Sequence, residues 1–292
     1  MKPLGWAALS LGLLLVVACL PKTIFPPPQQ PAKVAVVLGA GVSRGFAHVG
    51  VLKVLEAQKV PIHLIVGTSA GSIIGGIYAS GIDAFHLQKM ALAVQKDDVV
   101  DLTIPDNGFI RGEKLENYVN RAVQNYPLER LRIPFLAVAT NVQTGDEVAF
   151  ATGNTGKAVR ASCSIPGVFQ PVRIGDKTYV DGGVVSPVAV DAAKKAGADV
   201  VIAVDISAGV ARALPQGILE TILQSIDIMY TKIAAVQIKN ADVVIRPRVS
   251  HINSSDFDRR HEAILEGEKA AVEALPQIQH ILNRLRREGR LP

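Results

Sequence analysis

The sequence predicts an α/β protein, with a mostly parallel central sheet between helices in a three-layer α/β/α arrangement. Three observations carry that expectation. Short apolar runs rich in β-branched residues recur at 34–38, 63–66, 135–141 and 199–204. Segments with helical spacing separate them, so strands alternate with helices. Glycine-containing turns at 39–45 and 67–71 lead from a strand directly into a helix.

The chain opens with Met1-Lys2 and an uncharged stretch from Pro3 to Leu20. One Lys in front and a small residue before a Cys read as a secretion signal rather than a spanning helix. Val16-Val17-Ala18-Cys19 resembles the lipobox of bacterial lipoproteins, with Val16 where Leu is commoner. The resemblance implies that residues 1–18 are removed and that Cys19 carries the lipid. An uncleaved anchor and an ordinary cleaved signal are the competing readings. Residues 19–33 read as a tether, because Pro26-Pro27-Pro28-Gln29-Gln30-Pro31 favours an extended, solvated chain. The body is then expected on the periplasmic face of the cell envelope. Leu20 is not the Asp associated with inner-membrane retention, which favours the outer membrane where the source has one.

The body, 34–292, reads as one domain without an internal linker. Val34 to Leu38 is a buried strand, and Phe46 to Gln58 a helix with Val51, Leu52 and Leu55 at helical spacing. A second strand, His63 to Val66, precedes a helix through Ile73, Ile74 and Ile77. Helices are expected at 83–96 and 112–124, and strands at Phe135 to Asn141, Glu147 to Ala151 and Lys177 to Val180. Pro187 and Gly197 punctuate a helix between them. A strand from Asp199 to Val204, a helix from Gln216 to Lys239, a strand from Asp242 to Ile245 and a helix over 259–287 complete the body. A kink is expected before Pro276.

Composition limits the function classes. Of the 292 residues, 49% are hydrophobic and 20% charged, which supplies a large core and excludes a disordered chain. Aromatics at 5% disfavour a base-stacking nucleic-acid platform. The net charge of +5 suits an anionic membrane surface at least as well as nucleic acid. Cys19 and Cys163 are the two cysteines, so a lipidated Cys19 leaves no intrachain disulfide. No Cys or His spacing suggests zinc, and no metal or other cofactor is implied.

Three motifs carry chemistry. Gly67-Thr68-Ser69-Ala70-Gly71 is a G-x-S-x-G between strand and helix, the setting of a nucleophile elbow. Gly67 and Gly71 keep the turn tight, and the helix N-terminus favours negative charge at Ser69. A helix-capping serine is the plainer reading. The turn Gly39-Ala40-Gly41-Val42-Ser43-Arg44-Gly45 offers backbone amides for an oxyanion hole. A dinucleotide site needs an acid at the end of the next strand, and that strand runs instead into Gly67-Thr68-Ser69. Asp181-Gly182-Gly183 follows a strand, and a carboxylate there can serve as general base.

In combination and in this order, these motifs resemble the patatin-like phospholipase family, including bacterial members similar to the neuropathy target esterase branch. Ala47 to Leu52 and the block from Arg160 to Val172 also resemble the family's segments, so the likeness runs from about 34 to 205. It implies a three-layer fold and a dyad without histidine, Ser69 as nucleophile and Asp181 as base. It also implies an oxyanion turn among Gly39, Ala40, Gly41 and Val42, centred on Gly41 and Val42, with Arg44 steadying the turn or attracting phosphate. Gly45, Gly182 and Gly183 match the family's motif glycines. The sequence departs from the fuller G-G-G-x-R-G pattern at Ala40 and Val42, and a valine resists positive φ. The function implied is a membrane-tethered serine acyl hydrolase, cleaving carboxyl esters of phospholipids, lysophospholipids or acylglycerols without a cofactor. Two alternatives are a non-catalytic envelope scaffold on the same fold and an esterase or thioesterase for small acyl substrates. A Ser-Asp-His triad using His251, His261 or His280 is the rival catalytic scheme.

Overall fold

The first strand, β1 (Val34–Leu38), has every side chain buried, which places it inside the sheet with both faces covered. The computed structural model describes residues 30–104, 107–207, 214–253 and 256–292. Cys19, the signal segment and most of the tether lie outside the described residues.

Strand β2 (Leu64–Thr68) pairs in parallel with β1, Val36 opposite Ile65. Strand β3 (Phe135–Asn141) continues the parallel pairing beyond β2. An antiparallel group follows in sequence, made of β4 (Glu147–Phe150), β5 (Val172–Ile174) and β6 (Lys177–Asp181). On the other side of β1 lie β7 (Val200–Val204) and then β8 (Val243–Ile245), both parallel. The order across the sheet is β5-β6-β3-β2-β1-β7-β8, with β4 also on β3.

The pairing around β3 positions the site. Ala137 and Val138 face β2 and also β4, so these two strands occupy opposite edges. Ala139 and Thr140 face β4 and also β6. Strands β2 and β6 therefore share one edge of β3 end to end, running toward each other. Thr68 stands opposite Val138, and Asp181 stands opposite Ala139.

The helices are α1 (Phe46–Ala57), α2 (Ala70–Ala79), α3 (Ala84–Ala93), α4 (Lys96–Val99), α5 (Glu113–Ala122), α6 (Thr155–Ser162), α7 (Val190–Lys195), α8 (Ile218–Gln237) and α9 (Arg260–Arg287). Val34, Val36 and Leu38 pack with α1, α2, α3, α5 and α9, and Ala35 and Val37 pack with α7 and the end of α8. This alternation follows from the two-residue period of a strand. Each buried Val, Leu or Ile contributes about 1.5–3 kcal/mol.

Several boundaries differ from expectation for local reasons. The helix expected over 83–96 ends at Ala93, because Val94 leaves the helical region at ψ 130°, and a separate short helix starts at Lys96. Asp83 caps the first by accepting from the His86 amide at 2.8 Å. The helix expected from Pro187 starts at Val190, since the Pro187 carbonyl accepts from the Ala40 amide at 2.8 Å instead of joining a helix. Helix α9 fills the span expected over 259–287 and holds Pro276 inside it. Helix α6, capped by Asn154, and strand β5 were not expected from periodicity; both are short.

Candidate active site

Ser69 sits between β2 and α2 with φ 54° and ψ −123°, a backbone that a non-glycine residue adopts at a cost of about 1–3 kcal/mol. The strain lifts its side chain out of the strand and aims it along the edge of β3. The turn is held on three sides. Its amide donates to Ser162 Oγ at 2.9 Å, Ser162 Oγ donates to the Val138 carbonyl at 2.5 Å, and Ser72 Oγ donates to the Ser69 carbonyl at 2.7 Å. Gly71 is demanded by packing, because a Cβ there would lie 2.0 Å from the Leu38 carbonyl oxygen. The α2 N-terminus can cross the end of β1 only as glycine.

Asp181 ends β6 at the same point. Ser69 Oγ donates to Asp181 Oδ2 at 2.6 Å, and the Gly183 amide donates to Oδ1 at 2.7 Å. Both residues are buried, Asp181 completely. Burial pushes the carboxyl up to about 6, and the hydrogen bonds from Ser69 and Gly183, with the nearby Tyr230 hydroxyl, oppose that rise. The group still ionises near neutral pH, where a general base works best.

The glycine turn lies across from this pair. Val42 and Ser69 line the same cleft, and Gly45 packs against Ala70. Two of the four candidate oxyanion amides have other work. Gly39 donates to the Val204 carbonyl at 3.1 Å and Ala40 to the Pro187 carbonyl at 2.8 Å. The amides of Gly41 and Val42 have no acceptor among the described residues and remain for an oxyanion. Val42 does adopt positive φ, at 50°, despite its β-branch. Substitution of the usual glycine has therefore kept the turn, at a cost in backbone strain.

Arg44 is neither on the surface nor open to phosphate. It is completely buried, with Nη2 on Asp227 Oδ2 at 2.6 Å and Nε donating to the Ile252 carbonyl at 3.0 Å. Ser43 Oγ donates to the Asn253 carbonyl at 2.8 Å. The turn is thus braced by α8 and by the 252–253 segment. His48 Nε2 bonds the Gly39 carbonyl at 2.8 Å, and burial lowers the imidazole to about 4, so it stays neutral and donates.

Helix α8 contributes a second residue one turn beyond Asp227. The Tyr230 ring covers Gly183, where a Cβ would fall 2.2 Å from the ring carbon bearing the hydroxyl. The hydroxyl faces the Asp181 carboxylate without closing a hydrogen bond of ordinary geometry. Ser162, Asp227 and Tyr230 were not expected at the site from the sequence. The first lies in the block from Arg160 that was singled out for its resemblance; the other two sit in a helix whose periodicity says nothing about its partner.

None of the three candidate triad histidines reaches the pair. His251 Nε2 bonds Glu262 at 2.6 Å, and His261 and His280 are exposed on α9. Among the described residues no three His, Cys, Asp or Glu converge as metal ligands.

Above Ser69 opens an apolar cleft, walled by Val99, Ile110, Val168, Phe169, Leu219 and Leu223 among others. A water-poor floor of this kind strengthens the electrostatics of the pair.

Comparisons with known proteins bear on family and fold. A family model described as patatin-like phospholipase matches residues 36–194. An uncharacterized NTE family protein of Mycobacterium tuberculosis is 36% identical over 177 residues, covering 60% of this chain and 49% of its own length. Lysophospholipase NTE1 of Coccidioides immitis is 34% identical over 181 residues, covering 60% of this chain and 12% of its own. The chain thus spans about half of the mycobacterial relative and a small part of the fungal one. The crystal structure of VipD from Legionella pneumophila superposes with a TM-score of 0.60 at 12% identity, covering 85% of this chain and 67% of that one, and shares the fold. With the matched segment spanning β1 through α7 and containing both Ser69 and Asp181, the chain belongs to the patatin-like phospholipase family.

Proposed function

We propose that the chain is a serine hydrolase cleaving carboxyl esters of lipids, with phospholipid, lysophospholipid or acylglycerol as substrate class. The observation that carries the proposal is the 2.6 Å hydrogen bond from Ser69 to Asp181 at the floor of an apolar cleft. Ser69 Oγ attacks the ester carbonyl carbon while its proton passes to Asp181 Oδ2. The carbonyl oxygen becomes an oxyanion held by the Gly41 and Val42 amides, and the α2 N-terminus favours the same charge. Collapse breaks the bond to the alcohol, which leaves with the proton from Asp181. Water then gives a proton to Asp181 and attacks the acyl-serine, releasing the fatty acid and restoring Ser69. Family membership and a relative named as a lysophospholipase support the reading.

The test is hydrolysis of p-nitrophenyl esters, phospholipids and lysophospholipids by the full chain and by Ser69→Ala. Turnover abolished in the variant supports the proposal, and equal rates in both contradict it.

The proposal extends to the envelope. The Val16–Cys19 motif and the proline-rich tether support a lipid on Cys19 that holds the body at a membrane. Incorporation of labelled palmitate into the wild type and its loss in Cys19→Ser support this anchor. Equal labelling of both proteins contradicts it.

A further inference from the structure

One end of the parallel sheet is strongly basic. Strands β3, β2, β1, β7 and β8 are neighbours and run in the same direction, so the segments that lead into them lie side by side. These are residues 125–134, 58–63, 30–33, 194–199 and 239–242. The last nine residues, 284–292, close against the same end. There the Ala32 amide donates to the Arg290 carbonyl at 2.8 Å, and Arg290 Nη2 donates to Asp199 Oδ1 at 2.6 Å. Together the six segments hold eleven Lys/Arg and four Asp/Glu. The whole chain has 31 and 26, so the sequence outside this end carries more acid than base.

The cations are exposed and the acids are engaged. All of these Lys and Arg are exposed except the half-buried Arg290. Lys195 reaches Glu147 at 3.6 Å. Glu129 accepts from the Gly153 amide at 2.8 Å, Asp199 from the Lys33 amide at 2.7 Å and Asp242 from the Val201 amide at 2.8 Å. The fourth acid, Glu288, lies 3.8 Å from Arg284. Like charges gathered in this way repel one another, and an anionic partner relieves the repulsion. The reacting groups do not account for the cluster. Ser69 follows β2 and the glycine turn follows β1, so both lie at the opposite end of the sheet.

We propose that this basic end is a docking surface for anionic lipid headgroups. The position of the N-terminal segment selects lipid among polyanions. That segment joins the body here, with Arg290 Nε donating to the Gln30 carbonyl at 3.2 Å. It leads back through the prolines to the uncharged stretch from Pro3 to Leu20. An N-terminus held in a bilayer, by a lipid or by that stretch, brings this end to the headgroups first. One hydrophobic attachment binds weakly, and a polybasic patch supplies the second signal that makes it lasting. The inference goes beyond ester hydrolysis and does not depend on it. A molecule docked in this way keeps its cleft open, away from the surface that holds it.

The experiment measures co-sedimentation of the full chain carrying Ser69→Ala and Cys19→Ser, so that vesicle lipid is not consumed and no lipid modifies the N-terminus. Vesicles of phosphatidylcholine alone are compared with vesicles containing an equal part of phosphatidylglycerol. Binding by the apolar N-terminus is common to both, so the ratio of the two partition coefficients reads the basic end. Near an anionic surface each Lys or Arg contributes about fivefold. With Arg284→Gln, Arg286→Gln and Arg287→Gln added together, the ratio falls about a hundredfold at low salt. In the parent chain it approaches one at high salt. Lys96→Gln, Arg111→Gln and Lys114→Gln remove the same charge from the cleft end and leave the ratio within about twofold. Lys59→Gln with Lys194→Gln replaces the α9 variant if that one fails to fold. A ratio near one in the parent chain at low salt, an unchanged ratio in the basic-end variant, or an equal loss in the cleft-end variant overturns the proposal. So does a parent chain that binds duplex DNA and not the anionic vesicles. The chain used is catalytically silent, so failure of the hydrolase reading moves none of these outcomes.

Discussion

Ser69 and Asp181 meet because two strands end toward each other on one edge of β3. Thr68 stands opposite Val138 and Asp181 opposite Ala139, so the serine and the carboxylate leave their strands one β3 residue apart. The hydrogen bond at 2.6 Å is the direct product of that register. A one-residue slip of β6 would turn the Asp181 side chain to the other face of the sheet.

The pH dependence follows from the burial of Asp181. Its carboxyl is raised to about 6 and must be ionised to take the serine proton. The acid limb of kcat/KM is expected to have an apparent pKa near 6, falling tenfold per pH unit below it. The Tyr230 hydroxyl holds the carboxyl lower than burial alone would, so Tyr230→Phe moves this limb to higher pH. Initial rates with a soluble ester between pH 4 and 8 check both statements.

The same burial costs stability. An acid raised from 3.8 to about 6 on folding makes the native state bind more protons than the unfolded state in that window. Stability therefore falls as pH rises from about 4 to about 6, and above that the penalty is full, at about 3 kcal/mol. Asp181→Asn removes the charge and keeps an acceptor for the Gly183 amide. It is expected to be inactive yet more stable than wild type at pH 7, with the advantage vanishing near pH 4. Urea denaturation at the two pH values measures it.

The ion pair between Arg44 and Asp227 joins the glycine turn to α8 inside the protein. Removing one partner leaves the other buried beside apolar groups, so Arg44→Met and Asp227→Leu are each expected to cost about 3–5 kcal/mol. The double variant should recover a large part of that loss. Chemical denaturation of the singles and the double tests the coupling.

Histidine substitutions discriminate between dyad and triad. His251→Ala, His261→Ala and His280→Ala are expected to keep turnover within about threefold of wild type, since none approaches the serine. Loss of activity in any of these would require a different proton acceptor.

Much of this site was legible in the sequence. A strand, a G-x-S-x-G and a small-residue helix announced the elbow at Ser69, and Asp181-Gly182-Gly183 ended a readable strand. The unreadable parts share a physical reason, which is that they depend on partners distant in the chain. Hydrophobic periodicity does not tell a parallel strand from an antiparallel one, so the reversal of β6 that delivers Asp181 was hidden. Whether Arg44 steadies the turn or attracts phosphate is undecided until Asp227, 183 residues away, is placed beside it. Gly183 reads as a turn glycine until the Tyr230 ring is seen covering it. Val42 argued against the oxyanion turn on local grounds, and the surrounding contacts overrode that preference.

The central claim is that Ser69 becomes acylated with Asp181 as its base. The most direct measurement is mass spectrometry of the full chain after brief reaction with a p-nitrophenyl ester and acid quench, in wild type, Ser69→Ala and Asp181→Asn. The account predicts an acyl adduct on the wild-type peptide containing Ser69, none in the serine variant, and a strongly slowed adduct in the aspartate variant. An acyl group on any other residue, or equal acylation of wild type and Asp181→Asn, would contradict it.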